Sequence, residues 1–176
     1  MAKYEPIPTK RVKIDGIVDT HVGYNPNSRG DDKIRAFIDA FEGVARRTRD
    51  ACYGLPVELI LAMWGGESGW SKKDIQVENQ NWSNMMYVDS TYPEGNIGEG
   101  INGWAVFPGR STHGEAFADF LQGKRYSKLI DYLKGTNNPK SEKCARYIAD
   151  AGYGGTNHDK YYDEVIDYLE SVRKRL

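Results

Sequence analysis

The chain has 176 residues, 39% hydrophobic and 12% aromatic, enough for one well-formed core and too few for two comfortable domains. A net charge of -1 denies it the broad basic field that nucleic acid or an anionic membrane would call for. No stretch approaches the roughly 20 apolar residues of a membrane span, and MAKYEPIPTKRVK lacks the apolar segment of a secretory signal, so membrane insertion is not expected.

Residues 1–30 are rich in Pro, Gly, Asn and charge and read as an extended arm, with one strand-like run between Val12 and Val18. The basic residues Lys3, Lys10, Arg11 and Lys13 are broken up by prolines and lack interleaved aromatics, which fits a solvated arm better than a nucleic-acid contact. The folded body, residues 31–176, opens on a helix in which Ile34, Phe37, Ile38, Phe41, Val44 and Ala45 recur at helical spacing, with Asp31 as its expected N-cap. Gly54 stops that helix, and Pro56 suits the first turn of the next, where a missing amide donor costs nothing.

This second helix carries the stretch LPVELILAMWGGESGW. Leu59, Met63 and Glu67 are spaced by four, so the carboxylate projects from the apolar face, toward the interior or a cleft. Burial favours the protonated acid, as a general acid for glycoside cleavage requires. A carboxylate merely satisfied in the core is the rival interpretation. Gly65, Gly66 and Gly69 are expected to clear space for a bulky substrate, and to allow a sharp exit from the helix.

From Asn79 to Phe107 the composition turns to Asn, Gly, Tyr and Trp, with MMYV and WAVF flanking a glycine-rich run, and predicts a small hairpin or loop lobe. Thr112 and Glu115 have capping-box spacing for a third helix buried through Phe117, Phe120 and Leu121. Helical patterns follow in YSKLIDYL, after Asn138-Pro139, and in DKYYDEVIDYLESV. The fold class is therefore mainly α, a helical lobe with a small β-hairpin or loop lobe inserted after the second helix. Cys52 and Cys144 are too few and too distant in sequence for a zinc site, and leave two buried thiols or one disulfide; His21, His113 and His158 have no metal-like spacing. Neither a metal nor a cofactor is expected.

Glu67-Ser68-Gly69-Trp70 at the end of an apolar helix resembles the hallmark of the lysozyme-like glucosaminidases of glycoside hydrolase family 73. Four further segments are similar to that family in the same order: Asn81-Trp82-Ser83-Asn84, Trp104-Ala105-Val106-Phe107, residues 113–121, and Ala151-Gly152-Tyr153 followed by Asp159-Lys160-Tyr161. Ser71, the missing Phe-Gly after the Asn turn, and Gly154 to His158 depart from the family pattern.

The resemblance implies a lysozyme-like α+β fold with a glycan-binding cleft, and hydrolysis of β-1,4 bonds in peptidoglycan with Glu67 as general acid. It implies a second carboxylate from the small lobe, for which Glu94 is preferred over Glu99, Asp89 being the other acid there. Tyr153 is carried over from the Ala-Gly-Tyr turn as a further catalytic candidate, while Trp82, Asn84 and Tyr87 are candidates for contacts with sugar, and Trp64 and Trp70 belong to the core. A small wall hydrolase without a signal peptide also resembles type VI secretion effectors that act in a competitor's periplasm, which implies a cognate immunity protein blocking the cleft. The alternatives are a phage lysin or tail-associated lytic transglycosylase, and a non-catalytic glycan-binding or structural protein on the same fold.

Overall fold

The computed structural model describes residues 30–71 and 73–176, together with two short strands upstream, β1 (Lys13–Ile14) and β2 (Ile17–Val18). These two pair antiparallel, Ile14 opposite Ile17, within the run expected to be strand-like; the rest of the arm, including His21, lies outside the described residues.

Seven α-helices form the body among the described residues. Helix α1 (Gly30–Ala51) begins one residue before Asp31, so that residue is in the first turn and not a cap. Its apolar face, Ile34, Phe37, Ile38, Phe41, Val44 and Ala45, is buried as the spacing predicts. Gly54, in the left-handed region at φ 84°, sends its N–H back to the carbonyl of Arg49 at 3.0 Å and turns the chain into α2 (Val57–Ser68). Pro56 is the N-cap of α2, and its carbonyl receives the amides of Leu59 and Ile60.

Helix α2 is the centre of the molecule. Leu59, Ile60, Leu61, Ala62, Met63 and Trp64 are all buried, which explains why its sequence is apolar all round. It packs against α1 on one side and α7 (His158–Arg173) on the other, and α1 packs in turn on α4 (Arg110–Leu121). The core is aromatic: Phe41 stands edge-on to Trp82 with centroids 4.8 Å apart, and His113 lies 5.0 Å from Trp64 and 5.4 Å from Trp82.

The expected capping box does not form. Helix α4 starts at Arg110 with Gly109 as its N-cap, which places Thr112 and Glu115 inside the helix, because the chain leaves Pro108-Gly109 extended and His113 already bonds back to the Gly109 carbonyl at 3.1 Å. A short helix not foreseen in the sequence, α3 (Asp74–Glu78), leads into the small lobe. The remaining pieces are α5 (Ser127–Lys134), α6 (Ser141–Asp150) and α7, which Asn157 caps by accepting from the Lys160 amide at 3.1 Å.

In the small lobe β3 (Gly98–Glu99) pairs antiparallel with β4 (Ala105–Val106) around a 3-10 turn at Ile101–Gly103. The predicted partners MMYV and WAVF meet there, Met86 bridging Trp104 and the Ala105 amide donating to the Met85 carbonyl at 2.9 Å. Buried Asn81 pins the base of the lobe, since its Nδ2 donates to the carbonyls of Met85 and Ala105, both at 2.9 Å, and its Oδ1 accepts from the Met85 amide. The architecture is thus mainly helical with a small antiparallel lobe, as the sequence predicts. Cys52 and Cys144 are both free, buried thiols, pushed up to about 12 chiefly by burial. No helix among the described residues is long and apolar enough to cross a membrane, and none of their His, Cys, Asp and Glu side chains cluster as a metal site would need.

Candidate active-site cleft

Each residue of the Glu-Ser-Gly-Trp motif has a separate physical task at the end of α2. Gly69, Trp70 and Ser71 follow the helix in the left-handed region, at φ 58°, 60° and 61°. Glycine takes that conformation freely, whereas Trp70 and Ser71 hold it at a cost on the order of 1 kcal/mol each. Compensation comes from bonds that close the turn: Trp70 N–H to Gly65 O at 2.7 Å, Lys73 N–H to Ser68 O at 3.1 Å, and Ser71 N–H to Ser68 Oγ at 3.0 Å. The Ser68 hydroxyl itself donates to the Trp64 carbonyl at 2.7 Å, and the Trp82 indole N–H donates to Ser71 Oγ at 3.0 Å.

The glycines before the acid serve packing and not substrate clearance. A Cβ on Gly65 would stand 2.3 Å from the Trp70 ring, and one on Gly66 would stand 2.3 Å from the Tyr168 ring. The space expected for a ligand is filled by the protein's own aromatics; only Gly69 keeps its predicted role, at the helix exit.

Glu67 is half-buried and faces a cleft of about 560 Å³, bordered by Ser83, Asn84, Tyr126, Tyr153, Tyr161 and Glu164 among others. Burial lifts its carboxyl above the ordinary glutamate range, and the Glu164 charge adds in the same direction. Against this stand a hydrogen bond from Asn84 Nδ2 to Glu67 Oε2 at 2.7 Å and the charge of Lys73. Asn84 is fixed in turn, its Oδ1 accepting from Gln76 Nε2 at 3.1 Å. Since Asn84 occupies Oε2 as a donor, the proton of the neutral acid belongs on Oε1.

The Tyr153 hydroxyl donates to the Ser83 carbonyl at 2.9 Å and so joins the Ala-Gly-Tyr turn to the Asn turn. Burial pushes this phenol well above its usual range, so Tyr153 acts here as a neutral donor. Arg125 holds the same turn from below, Nε to Ala151 O at 2.7 Å and Nη2 to Gly152 O, while its guanidinium lies over the Tyr126 ring. Under the floor Ser83 Oγ and His113 Nε2 are 2.7 Å apart. Burial drops His113 to about 3, so it is neutral, and with its hydrogen on Nε2 only an acceptor lone pair on Nδ1 is left without a partner.

Glu67, Asn84 and Tyr153 are thus brought together at the cleft. The other candidates fall elsewhere. Trp82 is fully buried against Phe41 and His113, with its indole N–H on Ser71 Oγ, and so presents no surface to a sugar. Tyr87 is half-buried against the core and does not border the cleft. Glu94 is exposed in the turn after Pro93, and Glu99 is exposed on β3 with Oε1 beside Gly103; neither borders the cleft. Asp89 is spent on a turn, accepting from Thr91 N–H, Thr91 Oγ and Tyr92 N–H at 2.7, 2.6 and 3.0 Å. Sequence reasoning missed Arg125, Tyr126 and Glu164, whose only signal was ordinary amphipathic spacing, and it placed Tyr161 in the Asp159-Lys160-Tyr161 segment without a site role.

No protein-family model matches the chain, and no curated protein matches it. Among solved structures it is similar to a chain in the structure of a type VI secretion system effector-immunity complex from Pseudomonas protegens, with 22% identity and a TM-score of 0.57 over 81% of this chain and 93% of that chain. At this identity the likeness is one of fold.

Proposed function

We propose that the protein is a peptidoglycan hydrolase that cleaves β-1,4 bonds of the glycan strand as an endo-β-N-acetylglucosaminidase, with Glu67 as the general acid. The observation that carries this is the Glu67 carboxyl, held above its ordinary range by burial at the mouth of an open, tyrosine-lined cleft. In this mechanism Glu67 Oε1 gives its proton to the departing glycosidic oxygen, while Asn84 fixes the other oxygen and takes on the developing carboxylate. Tyr92, exposed on the rim, and the half-buried ring of Tyr153 offer aromatic surface to a sugar chain along the cleft.

The biological setting proposed is that of an antibacterial effector acting on a competitor's wall in the periplasm, with a cognate immunity protein that blocks the cleft. The shared fold with a chain from an effector-immunity complex supports that setting.

Digestion of purified peptidoglycan by wild type and by Glu67→Gln, with mass analysis of products, tests the chemistry. Reducing N-acetylglucosamine ends from wild type alone are expected; 1,6-anhydro ends would replace hydrolysis by lytic transglycosylation, and no products from either protein would leave a non-catalytic glycan binder.

A further inference from the structure

The hydrolysis proposed above needs a second group to take a proton from water or to stabilise the sugar cation, and no acid of the small lobe borders the cleft. Among the cleft's bordering residues the carboxylates are Glu67 and Glu164. Glu164 stands on α7, one turn after Tyr161, so both side chains leave the helix on the face that looks toward α2.

Glu67, Tyr161 and Glu164 also border a second, smaller cavity of about 160 Å³, along with Lys73 and Tyr168. The two carboxylates therefore share both spaces. The smaller one has room for several waters, at roughly 30 Å³ each. Glu164 is exposed, and among the described residues it accepts no hydrogen bond and makes no ion pair, unlike Asp89, whose lone pairs are used in its turn. Its place beside the acid rests on the lining the two carboxylates share in both spaces, and its charge acts on Glu67, Tyr161 and Tyr168.

We propose that Glu164 is the general base opposite Glu67, activating water drawn from the smaller cavity; this rests on the glycosidase chemistry proposed above. In the step, the Glu67 proton passes to the glycosidic oxygen, which keeps the electron pair of the broken C1–O bond. A water oxygen forms the new bond to C1, and the proton it sheds goes to the Glu164 carboxylate. One water is consumed, and proton exchange with solvent restores the acid at Glu67 and the base at Glu164.

The test is turnover of purified peptidoglycan by Glu164→Gln, Glu94→Gln and Glu99→Gln beside Glu67→Gln, with thermal melts to show that each is folded. Loss on the order of 100-fold or more is expected for Glu164→Gln, as for other general bases, with turnover close to wild type for the two lobe variants. A readout that a structural role would not move is chemical rescue: sodium azide should restore turnover to Glu164→Ala and leave a glycosyl azide among the products. Near-wild-type turnover by Glu164→Gln while Glu67→Gln is inactive would overturn this inference alone, as would loss at Glu94 or Glu99 in its place. Full activity of Glu67→Gln, or an inactive wild type, would instead remove the glycosidase proposal itself.

Discussion

The Asn84 side chain donates to Glu67 Oε2 at 2.7 Å from a backbone position in the left-handed region, at φ 55°. That bond favours the ionised acid and so works against burial, which favours the neutral form. Asn84→Gly removes the donor without straining the backbone, since glycine adopts this φ freely. Glu67 should then hold its proton to higher pH, and the alkaline limb of the pH–rate profile on peptidoglycan should move upward relative to wild type. A limb that stays in place or moves down would show that Asn84 does not set the acid.

The same raised acid costs stability. A glutamate whose folded pKa lies above its unfolded value weakens the fold as pH rises from the unfolded value through the folded one, and the loss is complete above both. Glu67→Gln, whose amide oxygen can still accept from Asn84, should melt at higher temperature than wild type at neutral pH. The two proteins should converge below about pH 3, where Glu67 is protonated in both states. Melting curves across pH decide this, and a variant less stable at neutral pH would contradict it.

On the far side of the molecule the sign is reversed. Arg173 bonds Glu58 through Nη2 at 3.0 Å and Nε at 3.1 Å and also meets Glu142. Burial alone would raise Glu58, yet the bonds from Arg173 and Ser141 outweigh it, and Glu142 is lowered chiefly by Arg173. Both carboxyls therefore stabilise the fold above the ordinary glutamate value of about 4.3, and this is lost as pH falls through their folded values. With side chains about a third exposed, Arg173→Ala should cost about 1 kcal/mol at pH 7 in urea unfolding. The difference from wild type should shrink at acidic pH.

Two glycines give opposite outcomes when a methyl group is added. Gly65→Ala drives a Cβ to 2.3 Å from the buried Trp70 ring and should destabilise by about 1–3 kcal/mol. Gly43, inside α1, has nothing within 4 Å of a built Cβ, and Gly43→Ala should stabilise by roughly 0.5–1 kcal/mol through helix propensity and the unfolded chain. Urea denaturation of the pair provides the comparison.

Glu67 was legible in the sequence because its evidence is local: three positions spaced by four on one apolar helix fix the direction of the carboxylate. The small lobe was legible for a similar reason, its strands and turn lying within one stretch of chain. Gly65 and Gly66 were misassigned because the rings that fill their space belong to Trp70, beyond a left-handed turn, and to Tyr168 on the last helix. Trp82 looked available in an Asn-rich loop, but Phe41 and His113, which bury it, come from two different helices. Glu164 shares α7 with Asp159, Asp163, Asp167 and Glu170, and helical spacing alone cannot tell the acid beside a cleft from its neighbours in water.

The fastening of Asn81 sets how the wall of the cleft is built. Pulling the lobe's two halves apart would strand that amide in a dry interior with three broken bonds, so the lobe keeps its shape as one piece. Beyond Met85 the chain carries Met86, Val88 and Tyr92 exposed along the rim. The lobe that carries Asn84 to Glu67 is therefore shaped when the protein folds, and its apolar rim stands ready before anything enters the cleft.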